Sequence, residues 1–195
     1  MEYQIEKKIK CNYLLVQISE TITEESETYK AGYKNICEVG KDRIRRSAKK
    51  LDLGNADIVF GNGFRVLKVD ESNMNNIYYS INDYSQGMLA MLESNVKPDR
   101  DDLDLLFGCL LEWGLPLSFP YSSEHIDGCA VHNYNNGDLI ACFDENVPES
   151  VIRNIANKKP LRAVFRDRSF KNSPSKINVE EMFKLKSPDT TLLIL

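Results

Sequence analysis

The sequence has no long apolar segment. No run approaches the roughly 20 apolar residues that a helix needs to cross a bilayer. Residues 1–12, MEYQIEKKIKCN, contain no apolar core of the kind that a secretory signal requires. These absences predict a cytoplasmic protein that makes no contact with a membrane.

Common nucleotide-binding and catalytic motifs are also missing. Neither G-x-G-x-x-G nor G-x-x-x-x-G-K-[ST] occurs, although GNGF at residues 61–64 carries two glycines. The motifs G-x-S-x-G and H-E-x-x-H are absent as well. The residues alone therefore predict no nucleotide site of either common type and no catalytic side chain.

Cysteine and histidine are too few and too scattered for a compact metal site. The chain has 5 cysteines, an odd number with no C-x-x-C pair, and this excludes a disulfide framework. Cys109 and Cys142 lie in apolar runs and are predicted core residues. His125 and His132 flank Cys129, so a metal cluster can be drawn, but the polar, hairpin-like surroundings favour no metal site.

What remains is the composition of a globular domain. Among 195 residues, 42% are hydrophobic and 28% are charged, which excludes wholesale disorder. The formal net charge is −4, whereas dedicated nucleic-acid-binding domains are usually basic. Any contact with DNA must therefore come from a local patch or from another part of a larger assembly.

One such patch lies in GKDRIRRSAKK, residues 40–50, within a helix predicted over 28–51 from an apolar stripe that recurs near every fourth residue. Its cations can neutralise phosphates, or they can form the solvated face of an ordinary surface helix. The candidate DNA-binding residues are Lys41, Arg43, Arg45, Arg46, Lys49 and Lys50.

The order of predicted elements indicates an α/β fold with a partly parallel sheet. Buried strands are predicted at 12–19 and 63–70. Helices are predicted at 83–96 and 99–113, and an Asn-Gly turn joins the apolar runs IDGCAVHNY and LIACFD in a β-hairpin. The remaining elements are a short helix after Pro148, a strand at 161–166, a helix near 178–186 capped by Asn178, and a strand at 190–194.

Two polar stretches allow both a structural and a functional interpretation. The acidic DRDDLD, residues 99–104, either caps a helix or binds a divalent ion, but it lacks the glycine and glutamate of an EF-hand loop. RDRSFKNSPSK, residues 166–176, follows a buried strand and carries Arg166, Arg168 and Lys171. It either contacts a phosphate or acidic partner at the strand end, or forms a structural turn.

Several stretches, taken in order, resemble the C-terminal part of the modification (Mod) subunit of type III restriction–modification systems. Those subunits are adenine-specific DNA methyltransferases that use S-adenosylmethionine. The resemblance extends from about residue 13 to residue 190. The matching segments are YLLVQISE, YKAGYKNICEVGKDRIRRSAKK, GFRVLKVDESNMNNIYY, DLLFGCLLEWGLPLS, DLIACFD and LRAVFRDRSFKNSPSKINVEEMFKLKSPDT.

The family's catalytic DPPY motif and its FxGxG-type cofactor loop are absent. The resemblance thus implies a remnant of the Rossmann-like methyltransferase domain at 1–52 and a Mod-type α/β C-terminal domain at 63–195, joined near 52–62. It also implies that Gln17, where the family has an acidic residue, lies near the cofactor ribose. The implied partners are DNA through the assembled enzyme, the Mod N-terminal portion or a second Mod subunit, and the restriction (Res) subunit.

Three hypotheses remain open at this point. The chain is a methyltransferase fragment that is inactive alone and completed by an N-terminal portion. Alternatively, it is a stand-alone, non-enzymatic module that pairs with Mod or Res, or a truncation remnant without function. In none of the three does the isolated chain bind the cofactor. The resemblance implies that the loop at 166–176 serves packing or subunit contact rather than chemistry.

Overall fold

A computed structural model describes residues 13–52, 63–75 and 96–195. The chain forms two compact units, divided between Val66 and Leu67. The division lies close to the linker expected from the sequence, while the family origin of each unit remains a prediction. Within the described ranges, every helix is too short or too polar to span a membrane.

The first unit is helical. Helix α1 (Glu27–Lys30) begins at Ser26, whose side chain accepts a hydrogen bond from the Tyr29 amide (3.1 Å), and helix α2 covers Ile36–Asp52. The sequence predicted one helix over 28–51. Gly32 interrupts it, because its φ of +98° cannot continue a right-handed helix.

The strands predicted at 12–19 and 63–70 are wrong for the residues that the structure describes. Residues 13–20 and 63–70 lie outside every strand and helix of the structure. Their apolar side chains face solvent: Leu14 is 88% exposed, Val16 is 86% exposed and Val69 is 99% exposed. The local apolar pattern suits a strand, but a strand also needs a neighbour for its backbone groups, and no such neighbour occurs in the described parts of the chain.

The second unit contains a five-stranded mixed sheet in the order β1-β2-β3-β4-β5. Strands β1, β2 and β3 are antiparallel neighbours, whereas β3, β4 and β5 run parallel. The α/β class and the partly parallel sheet are confirmed. The strand bounds are Tyr121–Ile126, Cys129–Tyr134, Leu139–Cys142, Arg162–Phe165 and Thr191–Ile194.

Turn residues with positive φ make the two hairpins. Asn135, Asn136 and Gly137 form the predicted Asn-Gly turn between β2 and β3. Strand β1 was missed, because IDGCAVHNY was taken as one apolar run. Asp127 (φ 48°) and Gly128 (φ 85°) instead form a two-residue turn that joins β1 to β2.

The parallel half follows the predicted β-α-β rhythm. Helix α4 (Glu149–Asn157) connects β3 to β4, and helix α5 (Ser173–Lys186) connects β4 to β5. The predicted neighbouring strands at the two ends of α5 are thus confirmed. The predicted cap Asn178 is wrong: the cap of α5 is Asn172, six residues earlier, whose side-chain oxygen accepts the Ser175 amide at 3.0 Å.

Helices cover both faces of the sheet. Residues of α4 and α5, including Val151, Ile155 and Phe183, pack with one face, and helix α3 (Asp102–Glu112) packs with the other through Leu106 and Leu110. This α/β/α layering buries the apolar side chains that alternate along β3 and β4.

Helix α3 explains the acidic cluster at 99–104. The Asp101 carboxylate accepts the Asp104 amide at 2.9 Å, and the Asp104 carboxylate accepts the Asp101 amide at 3.0 Å. This reciprocal capping accounts for the cluster without a metal ion. The helix predicted at 83–96 lies outside the described residues, except for Val96, which bridges to Met74.

Candidate functional site

The basic surface of α2 consists of two adjacent stripes of cations. Because an α-helix turns about 100° per residue, Lys41, Arg45 and Lys49 share one stripe. The other stripe holds Arg43, Arg46 and Lys50. All six cations are exposed or half-exposed. Ala48, next to the first stripe on the helix circumference, is buried. The helix is therefore amphipathic, with its cations on the outer side.

Two of the six cations have partners within the first unit. The Arg46 guanidinium lies 2.7 Å from Asp42 and donates to the Tyr33 hydroxyl at 2.9 Å. The Tyr33 hydroxyl also donates to Asp42, and this hydrogen bond raises the pKa of Tyr33. Arg45 lies over the ring of Phe64, 5.6 Å from its centroid. These contacts hold the middle of α2 against Tyr33 and Phe64.

The other four cations are Lys41, Arg43, Lys49 and Lys50. In the described parts of the chain no ion pair joins them to a carboxylate, and all but the half-buried Lys41 are exposed. They can neutralise an external polyanion without first breaking an internal ion pair. DNA contact by any of the six cations remains a prediction.

Gln17 lies in the exposed segment 13–20. Its side-chain amide donates to the neighbouring Ile18 carbonyl at 3.0 Å. An amide can also bond a ribose hydroxyl, and this local contact is easily exchanged for another. The cofactor contact implied for Gln17 remains a prediction.

The segment that follows β4 is folded into the body of the second unit. Residues Asp167–Ser169 form a 3₁₀ turn, and Phe170 is buried against Phe165 with ring centroids 5.7 Å apart. The Ser169 hydroxyl donates to the Asp144 carbonyl at 2.8 Å, and the Val147 amide donates to the Ser169 carbonyl at 2.8 Å. The turn therefore links the ends of β3 and β4.

Two of the four cations of this segment have ion-pair partners within the chain. Arg168 lies 3.3 Å from Glu145, and Lys176 forms an ion pair with Asp167. Asp167 thus pairs with Lys176 rather than with a neighbouring arginine, and the two paired cations offer less to a phosphate than the unpaired cations of α2 do.

A buried histidine forms a polar chain that the sequence did not reveal. His132 is 5% exposed; its Nε2 lies 3.1 Å from the Asp102 carboxylate and its Nδ1 lies 2.8 Å from the Tyr121 hydroxyl. The three residues come from α3, β2 and β1, so no short motif joins them. The two contacts give both ring nitrogens a hydrogen-bond partner and attach the first turn of α3 to the sheet. This structural role explains why the three side chains meet.

Two thiols and a carboxylate also meet. The ligand atoms of Cys129, Cys142 and Asp144 lie within 4.8 Å of one another. Burial raises the pKa of Cys129 and raises that of Cys142 to about 12. Metal binding requires thiolates, and the Asp144 carboxylate already accepts the Ala130 amide at 2.6 Å. The group is therefore explained as part of the core, as predicted for Cys142.

The chain matches no protein-family model and no curated protein. The functional assignment therefore depends on the sequence resemblance and on the geometry described above.

Proposed function

We propose that this chain is the C-terminal portion of an adenine-specific, S-adenosylmethionine-dependent DNA methyltransferase, the Mod subunit of a type III restriction–modification system. In this proposal the chain is inactive alone. It contributes to subunit assembly and to DNA contact, while a separate N-terminal portion supplies the DPPY motif and the cofactor loop.

The exposed segment 13–20 is the observation that carries the proposal. It belongs to no helix or strand, and Tyr13, Leu14, Leu15, Val16 and Ile18 are all at least half exposed. Burying one such aliphatic side chain contributes roughly 1.5–3 kcal/mol, so a soluble protein gains considerably when the whole segment is covered. By resemblance, this segment is a strand of the methyltransferase sheet, and the missing N-terminal portion would supply its neighbouring strands.

The proposal assigns separate roles to the residues of the first unit. Gln17 would approach the cofactor ribose through its side-chain amide once the segment pairs with its neighbours. The exposed Arg43, Lys49 and Lys50 would contact DNA phosphates without reading the base sequence. The cofactor would supply the methyl group when bound, and no residue of this chain is assigned to the chemical step.

A non-enzymatic module that pairs with Mod or Res is the second candidate function. The observation that favours it is the second unit, Leu67–Leu195, which has an extensive core of its own on both faces of the sheet. Such a unit is able to serve as a binding domain without the methyltransferase portion. The two candidates differ in whether segment 13–20 is needed.

Co-expression tests the proposal. The chain is produced with the N-terminal portion of a type III Mod subunit that contains DPPY and the cofactor loop, and co-purification and adenine methylation are measured. We expect co-purification and methylation with the natural sequence, and neither with the double variant Leu14→Ser and Val16→Ser. A matched control is Leu111→Ser with Leu185→Ser, which removes two exposed leucines from the second unit.

We expect the control variant, Leu111→Ser with Leu185→Ser, to retain both co-purification and methylation. The proposal is wrong if the natural chain does not bind the N-terminal portion. Binding that survives loss of Leu14 and Val16 without methylation supports the non-enzymatic module instead.

A further inference from the structure

The outer edge of β5 has backbone groups that point away from the sheet. The amides of Thr191 and Leu195 donate to carbonyls beside β4, at 2.9 Å each, and the Leu195 carbonyl accepts the Asp167 amide at 2.8 Å. In a parallel ladder this pattern alternates, so residues 191, 193 and 195 bond to β4. The N–H and C=O groups of Leu192 and Ile194 therefore face outward, and no described segment pairs with them.

The two edges of the sheet differ in how they are protected. The opposite edge strand, β1, has exposed polar residues from Ser122 to His125, and its Glu124 forms an ion pair with Lys158. Charged residues on an edge strand discourage pairing with another chain. Strand β5 has the sequence TLLI, without a charge or a proline. Of the two edge strands, β5 is therefore the one whose sequence does not discourage pairing with another strand.

A groove of about 370 Å³ runs beside this edge, between β5 and α5. Its apolar lining includes Phe183, Leu192 and Ile194. Glu180 and Lys184, one turn apart on α5, also line it with opposite charges, and Lys184 makes an exposed ion pair with Glu181 of its own helix. The side chains of an added strand that point to this side of the sheet would enter the groove.

We propose that the β5 edge binds the β5 edge of a second copy of this chain, antiparallel, about a two-fold axis at Leu193. In that register Leu192 of each copy lies opposite Ile194 of the other. Residues with outward backbone groups then form the hydrogen-bonded pairs of an antiparallel ladder. The geometry uses all the outward amides and carbonyls of Leu192 and Ile194, and it joins the two sheets into one.

The groove charges also match under this symmetry. Lys184 lies near the beginning of β5, and Glu180 lies one turn of α5 away from it. A two-fold axis reverses the second helix, so Glu180 of one copy faces Lys184 of the other, and the same pair forms twice. A parallel arrangement would place like charges opposite each other. Charge complementarity therefore favours a second copy in the antiparallel orientation.

The inference rests on the β5 edge alone and holds whether or not the chain belongs to a methyltransferase. The strand is short and the contact falls at the small end of specific interfaces. We therefore expect a concentration-dependent dimer rather than a permanent one.

Sedimentation equilibrium of the full chain over a concentration series measures this association. Leu192→Pro removes an outward amide but no bond to β4, and proline is tolerated at such edge positions. It removes two hydrogen bonds from the dimer, so the dissociation constant should rise about tenfold. The matched control is Ser123→Pro, which removes an outward amide from β1. The Pro120 carbonyl accepts the Asn135 amide, and because bonded residues alternate along an antiparallel strand, the amide of Ser123 points away from β2.

Ser123→Pro should leave the dissociation constant unchanged. Leu14→Ser with Val16→Ser should also leave it unchanged, which separates this dimer from association through segment 13–20. Circular dichroism on each variant verifies that the fold is retained.

A charge exchange tests the two-fold symmetry independently. Glu180→Lys and Lys184→Glu should each weaken the dimer a few-fold, as expected for exposed ion pairs, and the double exchange should restore it. The inference is overturned if the natural chain is monomeric at every concentration or forms species larger than a dimer. It is equally overturned if Leu192→Pro dimerises like the natural chain, if the Leu14 and Val16 variant is monomeric, or if the double exchange fails to restore binding.

Discussion

The Ser169 hydroxyl donates a hydrogen bond to the backbone carbonyl of Asp144, joining the turn after β4 to the end of β3. Both partners lie where many α/β proteins place a ligand crevice, at the carboxyl ends of parallel strands. Here the groups at that edge bond to one another. This relationship places the turn after β4 among the structural elements of the second unit.

Replacing Ser169 with alanine should destabilise the second unit. The side chain is 1% exposed, and its loss leaves the Asp144 carbonyl and the Arg166 amide without this hydroxyl as a partner. We expect the free energy of unfolding, measured by urea denaturation, to fall by about 1–3 kcal/mol. The exposed Ser123→Ala is the control, and a Ser169→Ala variant as stable as this control would contradict the prediction.

The buried thiols should resist alkylation and make stability depend on alkaline pH. Burial raises the pKa of Cys109 to about 11 and that of Cys142 to about 12. At pH 8 a thiol of pKa 12 is ionised to roughly one part in 10,000, so iodoacetamide should modify the half-exposed Cys37 long before either. Mass spectrometry of peptides from the labelled native protein measures this order.

The same shifts determine the sign of the pH effect. The pKa values are raised in the folded state, so the contribution of these thiols to stability is complete below their ordinary pKa of 9.0 and declines as pH rises toward 11–12. The free energy of unfolding should therefore decrease above about pH 9. Early labelling of Cys142, or stability that increases over this range, would show that the thiol is not buried as described.

DNA binding by the basic surface of α2 should be weak, independent of sequence and steeply dependent on salt. Each phosphate that is neutralised releases counterions, which makes the slope of log K against log salt a count of contacts. Arg43→Glu with Lys50→Glu should flatten this slope in filter binding to duplex DNA. Arg153→Glu with Lys171→Glu makes the same charge change in the second unit and should leave the slope nearly intact.

An unchanged slope after reversal of Arg43 and Lys50 would mean that α2 presents only a solvated face. A slope that responds to the Arg153 and Lys171 control instead would relocate the contact to the second unit.

The isolated chain should neither bind S-adenosylmethionine nor methylate DNA. The motifs that hold the cofactor and the target adenine are absent from the sequence, and Gln17 alone contributes at most one hydrogen bond, worth about 1 kcal/mol. Calorimetric titration should show no heat of binding, whereas micromolar affinity would contradict the assignment. Gln17→Ala should then reduce binding only in the complex with the N-terminal portion.

The elements best predicted from the sequence are those whose pattern and partners are both local. The unit from β4 through α5 to β5 satisfies this condition, because its apolar periodicity switches clearly along the chain and consecutive elements pack together. The Asn-Gly hairpin was found for the same reason. Asn178 was a wrong cap, since Asn172 and Pro174 already start the helix earlier.

The failures have a common physical cause in partners distant along the chain. Segment 12–19 has the composition of a strand, but backbone pairing with another segment decides whether a strand forms. His132 was considered only with Cys129 and His125 because these lie nearby in sequence, while its actual partner Asp102 is on α3. For the basic surface, the sequence identified the helix correctly, but only the structure shows that Asp42 and Phe64 engage two of its cations.

The order of strands in the second unit has a consequence for how it folds. Each strand in β1-β2-β3-β4-β5 pairs with the strand that precedes or follows it in the chain. Every pairing therefore closes a loop of modest length, and the entropy lost at each closure is small. Domains built from such near-neighbour contacts fold faster than those that depend on distant ones. The second unit can therefore reach its native state soon after synthesis, without waiting for contacts between segments far apart in the chain.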